Sequence, residues 1–484
     1  MKIIPKVDQG EKINYKGDLT IESDVGEDAE IVVEDGTIKI NGNVHSNAKI
    51  TLKISEEKRA SMNVATNQAF SMAGLGNFIS IGSCSKVTIG KRIICDGSMS
   101  SRGNSAVYLP SRGREIVTLT INDKKYQGKK IETVGDNVFV DGVPAVAPAH
   151  GPLVIESGPM PKISIVGAVM NRVFINSDGD VEVQGNIGQD CLMQCLNGEF
   201  TAKHIGSNTV IKTRNAINVG EVGNFCQFSS THYGLNADSL GDNVKVDVRD
   251  AIVINGDVGN YTQLQSQQYG LQARNLGQSV NVTVRDAIKV RNIGANSIIN
   301  SAQYGLHAQD IQENVYVTVR DAVSVNSVGN DSHITSAQYG IEVSERVGND
   351  VELTGRDQLT VGSVGDNSKL TSNTSTIKVI DQCGKHVVIK GRDSVKVKDV
   401  GDNSSITSTN DEVNARNLGQ NVSISARDDV VVNGICPDNA RLTSAHGKVR
   451  KTSQAALKGN SIFSGKPEST KAKQETHWSD LRYN

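Results

Sequence analysis

The sequence predicts an all-β chain wound as a parallel β-solenoid with rungs of about 18 residues, and three periodicities predict it. A glycine turn, Val/Ile/Leu-Gly-x-Asn/Asp in its fullest form, recurs at Gly188, Gly206, Gly223, Gly241, Gly259, Gly277, Gly294, Gly329, Gly348, Gly365, Gly384, Gly401 and Gly419. Gln312 and Pro437 fill the slot in two further copies, and the spacings are all 17, 18 or 19 residues. Arg-Asp (once Arg-Asn) recurs every 35 or 36 residues at Arg214, Arg249, Arg285, Arg320, Arg356, Arg392 and Arg427. Midway between come His232-Tyr233-Gly234, Gln268-Tyr269-Gly270, Gln303-Tyr304-Gly305 and Gln338-Tyr339-Gly340. The unit is therefore a pair of similar half-repeats, one marked Arg-Asp and the other Tyr-Gly.

The strands follow from alternation. Leu19, Ile21, Ile31, Val33, Ile38, Ile40 and Ile50 are apolar at every second position, the pattern of half-buried strands. Residues 1–53 thus read as N-terminal rungs. Residues 54–77 break the pattern, as a short helix or an excursion from the solenoid would. Residues 54–150 as a whole read as an irregular, hairpin-containing segment, with Asn122-Asp123 and Asp141-Gly142 as turn signals. PAVAPAHGP, residues 144–152, concentrates three of the nine prolines and is the candidate boundary. The regular array then runs over 151–447. A rung fits three strands with inward pairs such as Ile252/Ile254, Leu264, Leu271/Ala273 and Val280/Val282/Val284. The glycines are expected to supply backbone conformations that a Cβ resists, and the Asn two residues later to tolerate the left-handed region. Asn ladders would tie rung to rung. The architectural alternative is a β-propeller. Its blades are usually about 40 residues or longer, and their halves need not resemble each other as these do.

Composition fits a turn-rich β protein with a thin aliphatic core: 47 glycines, 9 prolines and 4% aromatics in 484 residues. The net charge of −2 does not call for nucleic acid or a membrane surface, and no nucleic-acid partner is expected. From Lys448 onward eight Lys/Arg face Glu468, Glu475 and Asp480, so residues 448–484 read as a basic, disordered tail. The first residues lack an apolar leader core, and no stretch approaches 18 apolar residues, so neither a signal peptide nor a membrane span is expected. Seven scattered cysteines suggest reduced thiols.

Counting back from the turn glycine sets Arg285, Arg320, Arg356 and Arg392 level with His232, Gln268 and Gln303. Arg249, Arg427 and Gln338 fall one position off. One edge of the solenoid should then alternate Arg-Asp and Gln-Tyr rung by rung. A guanidinium there could lie over a tyrosine ring of the next rung, and an aspartate could accept from a neighbouring Gln or Tyr. Alternation also avoids stacking like charges and fixes register. As a docking strip for an extended ligand this edge comprises Arg249, Gln268, Tyr269, Arg285, Gln303, Tyr304, Arg320, Gln338 and Tyr339.

The rungs GDLTIESDVGEDAEIVVED and GTIKINGNVHSNAKI resemble the bactofilin class of polymer-forming bacterial proteins and the β-helical part of FapA-like proteins. The match covers about 40 residues, and the Arg-Asp/Gln-Tyr-Gly array is no part of either family's pattern. The resemblance implies a cytoplasmic, right-handed solenoid that self-associates end to end. The tail GKPESTKAKQETHWSDLRYN is similar to type IV secretion signals of bacterial effectors.

Catalytic chemistry has little to rest on. The aspartates are spread through the ladder, with Asp428-Asp429 the one doubled site in the array. The histidines, among them His45, His204, His232 and His386, lack metal-ligand spacing. Cys191 and Cys195 are not a C-x-x-C pair, and Cys191 and Cys226 read as small core residues. No catalytic residue, cofactor or metal site is expected. The sequence points to a non-catalytic structural or interaction solenoid that binds itself or another protein, with an extended glycan as a further ligand class. The alternatives are a translocated effector acting on a host component and a carbohydrate-active β-helix enzyme.

Overall fold

The computed structural model describes residues 1–56 and 161–451, together with strand segments between 79 and 154. The 57–78 segment, most of the proline-rich 144–152 stretch and the tail from 452 lie outside the described residues. The chain is an all-β parallel solenoid. One parallel sheet stacks 19 strands, from Lys12–Lys16 to Arg441–Ser444. The second stacks 24 strands, from Lys2–Ile4 to Val449–Lys451, because some rungs give it one six-residue strand and others two short ones. At a strand spacing of about 4.8 Å, 19 stacked strands make a rod roughly 86 Å long. Parallel pairing from rung to rung excludes the propeller, whose blades are antiparallel meanders.

The first three rungs and the long array form one stack. Ile38 and Ile40 pair with Ile163 and Ile165, and Lys49 pairs with Phe174. The segment between them leaves the stack at a turn. There the buried Asp178 accepts a hydrogen bond from the Ile54 amide at 2.6 Å. Within that segment, described strands form separate antiparallel sheets of six and five strands. Ile121 pairs with Lys124 and Val140 with Val143 in antiparallel register, while the turn signals Asn122-Asp123 and Asp141-Gly142 lie outside the described residues.

The inward side chains are those the alternation marks. Ile252, Ile254, Leu264, Leu271, Ala273, Val280, Val282 and Val284 are all buried. Cys191, Cys195, Cys226 and Cys383 are buried among them, and burial pushes their thiols up, Cys226 to about 11 and Cys383 to about 12. These thiols stay protonated and packed at neutral pH, as structural cysteines do.

The glycine turn works differently from the sequence expectation. None of the recurrent turn glycines occupies the left-handed region; the residue two positions later does, as in Asn243, Asn296, Asn367 and Asn403. The glycine is required because rungs approach closely: a Cβ on Gly259 would lie 2.4 Å from the Gly241 carbonyl carbon. The intervening Asn or Asp forms the ladder. Its side-chain oxygen accepts the amide of the equivalent residue one rung on, as in Asn224 to Asp242 (2.8 Å), Asp242 to Asn260 (2.7 Å) and Asn260 to Gln278 (2.8 Å).

Two rungs break the Asn/Asp preference with aromatics. Phe225 and Tyr261 hold φ of 60° and 57° and are 56% and 60% exposed. A bulky residue is costly in that region, where Asn is accommodated. Phe225→Asn and Tyr261→Asn are each expected to raise stability by about 1 kcal/mol, because the strain is removed and little buried area is lost. Denaturant titration reads this directly; an unchanged or lower midpoint would count against the strain assignment.

The double period has a physical basis in the turn that follows the 19-stranded sheet. In Arg-Asp rungs it has three residues, as in Arg285-Asp286-Ala287 between strands ending at Val284 and starting at Ile288. In Tyr-Gly rungs it has four, as in Ala302-Gln303-Tyr304-Gly305 between Ser301 and Leu306. The core alternates in step. Val280, Val282 and Val284 face inward in one rung, and Ser297, Ile299 and Ser301 in the next. The second serine anchors the longer turn: Ser301 Oγ donates to the Asp286 carbonyl at 2.7 Å and accepts the Tyr304 amide at 3.3 Å. Ser230, Ser266, Ser336, Ser372 and Ser408 are buried at the equivalent place.

Candidate functional site

The alternating turns build one continuous edge, and backbone hydrogen bonds define its register. The amides of His232, Gln268, Gln303, Gln338, Thr374, Asn410 and His446 donate to the carbonyls of Arg214, Arg249, Arg285, Arg320, Arg356, Arg392 and Arg427. The amides of Asp250, Asp286, Asp321 and Asp357 donate in turn to the carbonyls of Tyr233, Tyr269, Tyr304 and Tyr339. All nine residues picked from sequence, Arg249, Gln268, Tyr269, Arg285, Gln303, Tyr304, Arg320, Gln338 and Tyr339, therefore share this edge. The single-position offsets of Arg249, Arg427 and Gln338 vanish, because the extra residues lie in the strands and turns that follow. Ile341–Val347, after Gln338, has seven residues where Leu359–Val364, one rung on, has six.

Side chains tie the edge together without the stacking expected from sequence. Arg249 Nη2 donates to Gln268 Oε1 at 3.1 Å. Arg320 Nε donates to the neighbouring Asp321 at 2.9 Å, and Arg427 Nη1 to Asn410 Oδ1 at 2.8 Å. Asp250 Oδ1 is buried without a hydrogen bond, 3.7 Å from Arg249 Nε. Among the described residues the one cation over an aromatic ring is Lys2 over Tyr15, and no strip guanidinium covers a tyrosine. The Asp321 bond raises the Arg320 pKa above its already high ordinary value, and Tyr304 and Tyr339 on the flanking rungs add to this.

Tyr233, Tyr269, Tyr304 and Tyr339 stay 53%, 45%, 49% and 51% exposed, so half of each ring faces solvent. The glycine after each tyrosine lets the next rung close against the turn. A Cβ on Gly234, Gly270, Gly305 or Gly340 would lie 1.9–2.0 Å from the next rung's carbonyl oxygen. Arg249, Arg285 and Arg320 are each followed by an Asp, so these Arg-Asp pairs carry no net charge.

A second concavity was missed from sequence. An open cleft of about 940 Å³ lies where Asp310, Glu313, Asn330, Glu345, Arg346 and Gln382 meet. It arises because Ile341–Val347 and Ile377–Cys383 have an extra residue and shift register against their neighbours at Arg346 and Gln382. The sequence does carry the signal: Gly329 to Gly348 and Gly365 to Gly384 are the 19-residue spacings of the regular array.

Other polar residues singled out in the sequence make structural contacts. Asp429, of the doubled Asp428-Asp429 site, accepts the Lys448 amide at 2.7 Å and pairs with Arg450 at 2.9 Å. His232 contacts Thr231 Oγ1 at 3.0 Å, and His45 pairs with Asp24 at 3.5 Å. Among the described residues no group of three or more His, Cys, Asp or Glu is placed to hold a metal ion. No described helix is long and apolar enough to cross a membrane. Compared with known proteins, the chain matches no family model, no curated protein and no solved structure.

Proposed function

We propose that this chain is a non-catalytic binding scaffold whose Arg/Gln/Tyr edge holds an extended partner. One observation carries the reading: from Tyr233 to Tyr339 a half-exposed tyrosine stands on every second rung, at the same register, beside donors that recur with it. A core needs no exposed tyrosines, whereas Tyr and Arg are the side chains that carry binding energy at interfaces. Repetition in register offers the same contact many times to a ligand that is itself repetitive.

The test is binding of the full-length chain and of Arg285→Ala/Tyr304→Ala to a panel of proline-rich peptides, neutral glycans and polyanions. We expect at least one class to bind and the double variant to weaken it about tenfold at an unchanged melting temperature. No strip-dependent binding across the panel would overturn the reading.

The end rungs favour discrete rods over end-to-end polymers. Lys2, Lys12 and Lys16 lie in the first strands, and Arg441, Arg450 and Lys451 in the last. Lys12 and Lys16 pair with Glu30 and Asp35, and Arg450 with Asp429, so the charge here is balanced, but lysine on an edge strand is a known guard against strand-to-strand pairing. Electron microscopy across a concentration series should show single rods. Filaments lengthening with concentration would support end-to-end self-association instead.

A further inference from the structure

We infer that the extended partner is a proline-rich peptide in the polyproline II conformation, bound along the tyrosine edge; this rests on the binding-strip reading above. The first ground is pitch. Successive tyrosines are two rungs apart, about 9.6 Å at the usual strand spacing. A polyproline II helix has three residues per turn and a rise of about 3.1 Å, so it presents the same face every 9.3 Å or so. Over the three intervals from Tyr233 to Tyr339 the accumulated mismatch is about 1 Å, within reach of side-chain adjustment.

The second ground is relief. Tyrosine turns have four residues and the Arg turns between them three, so the edge alternates in contour, with the half-exposed tyrosines on the longer turns. Regularly spaced exposed aromatics are what proline-rich segments dock against.

The third ground is charge and hydrogen bonding. Arg249, Arg285 and Arg320 are matched by Asp250, Asp286 and Asp321, so the strip offers no net attraction to a polyanion. A polyproline II peptide is uncharged along its backbone and has no internal hydrogen bonds, so its carbonyls need donors. A guanidinium has five donor hydrogens, more than the partners of Arg249 and Arg320 engage. Gln268, Gln303 and Gln338 bring further amide donors at the same interval.

The experiment measures fluorescence anisotropy of labelled (Pro-x-x)n peptides of six, nine, twelve and fifteen residues with the full-length protein. A composition-matched peptide with the three-residue period scrambled and a neutral β-linked oligosaccharide are run beside them. Affinity should tighten with length and level off once the peptide spans Tyr233 to Tyr339, at about ten to twelve residues. Tyr269→Ala and Tyr304→Ala should each weaken binding about tenfold, and Tyr→Phe at the same positions should retain most of it. Length-independent binding, equal binding of the scrambled peptide, or binding unchanged by both Tyr→Ala variants would overturn the inference. Strip-dependent binding of the oligosaccharide alone would overturn it while leaving the strip as the binding surface. Absence of strip-dependent binding by either would overturn the inference, and absence with polyanions as well would overturn the strip reading. Unchanged melting temperatures establish that the variants are folded.

Discussion

Gly305→Val is expected to lower stability by about 4 kcal/mol or more, the range reached when a substitution forces backbone apart. A Cβ at this position would lie 1.9 Å from the Ala322 carbonyl oxygen of the next rung. That oxygen belongs to backbone, and the Leu306 amide donates to it, so it cannot move without breaking the rung–rung bond. In a stack where each rung touches only its neighbours, stability is nearly a sum of interfaces. Weakening one interface therefore divides the rod between the Tyr304 and Arg320 rungs. Thermal unfolding should become two-phased, with a lowered first transition. A loss below about 1 kcal/mol would mean that the rungs are not packed this closely.

Ser266→Val is expected to cost about 3 kcal/mol. Ser266 is buried; its hydroxyl lies 2.6 Å from the Asp250 carbonyl and 2.9 Å from that of Tyr269, and accepts the Tyr269 amide at 3.3 Å. Valine would leave buried backbone groups without a partner, at about 1–3 kcal/mol, and would add a branched side chain to a filled core. Valine is native at the equivalent place one rung on, Val284, where the turn is a residue shorter and the Asp286 amide donates to the Tyr269 carbonyl of the rung before. The same substitution therefore separates core volume from turn anchoring. A Ser266→Val protein as stable as the parent would show that the alternation of Ser and Val does not set turn length. Ser266→Thr, which keeps the hydroxyl, should lose less.

The rung architecture was legible because its marks are local and repeated. A glycine every 17 to 19 residues, and apolar residues at every second position such as Val280, Val282 and Val284, state both the turn and the inward face. The Arg/Gln/Tyr edge was legible for the same reason. What the sequence hid lay in distances between rungs. The turn glycines looked like conformational relief, yet Asn243 and its equivalents take the left-handed backbone and the glycine makes room for the rung before it. Cation–π stacking along the strip looked possible from spacing alone, but the Asp beside Arg320 and the Gln facing Arg249 engage the guanidinium first. The stacking of residues 162–165 directly on 38–40 could not be read from local pattern, because more than a hundred residues separate the partners. Strain at Phe225 and Tyr261 carries no mark in the local pattern, because it lies in their backbone angles.

The fold and the binding edge both depend on the tyrosines forming a straight row with a two-rung interval. Double electron–electron resonance tests that row directly, with spin-labelled residues replacing the half-exposed Tyr233, Tyr304 and Tyr339 in pairs. Four rung steps separate Tyr233 from Tyr304 and six separate it from Tyr339, so the underlying separations should be about 19 Å and 29 Å. A distance that grows in proportion to rung number, after a constant allowance for the labels, is the predicted result. A Tyr233–Tyr339 separation equal to or shorter than Tyr233–Tyr304 would contradict the solenoid and the strip together.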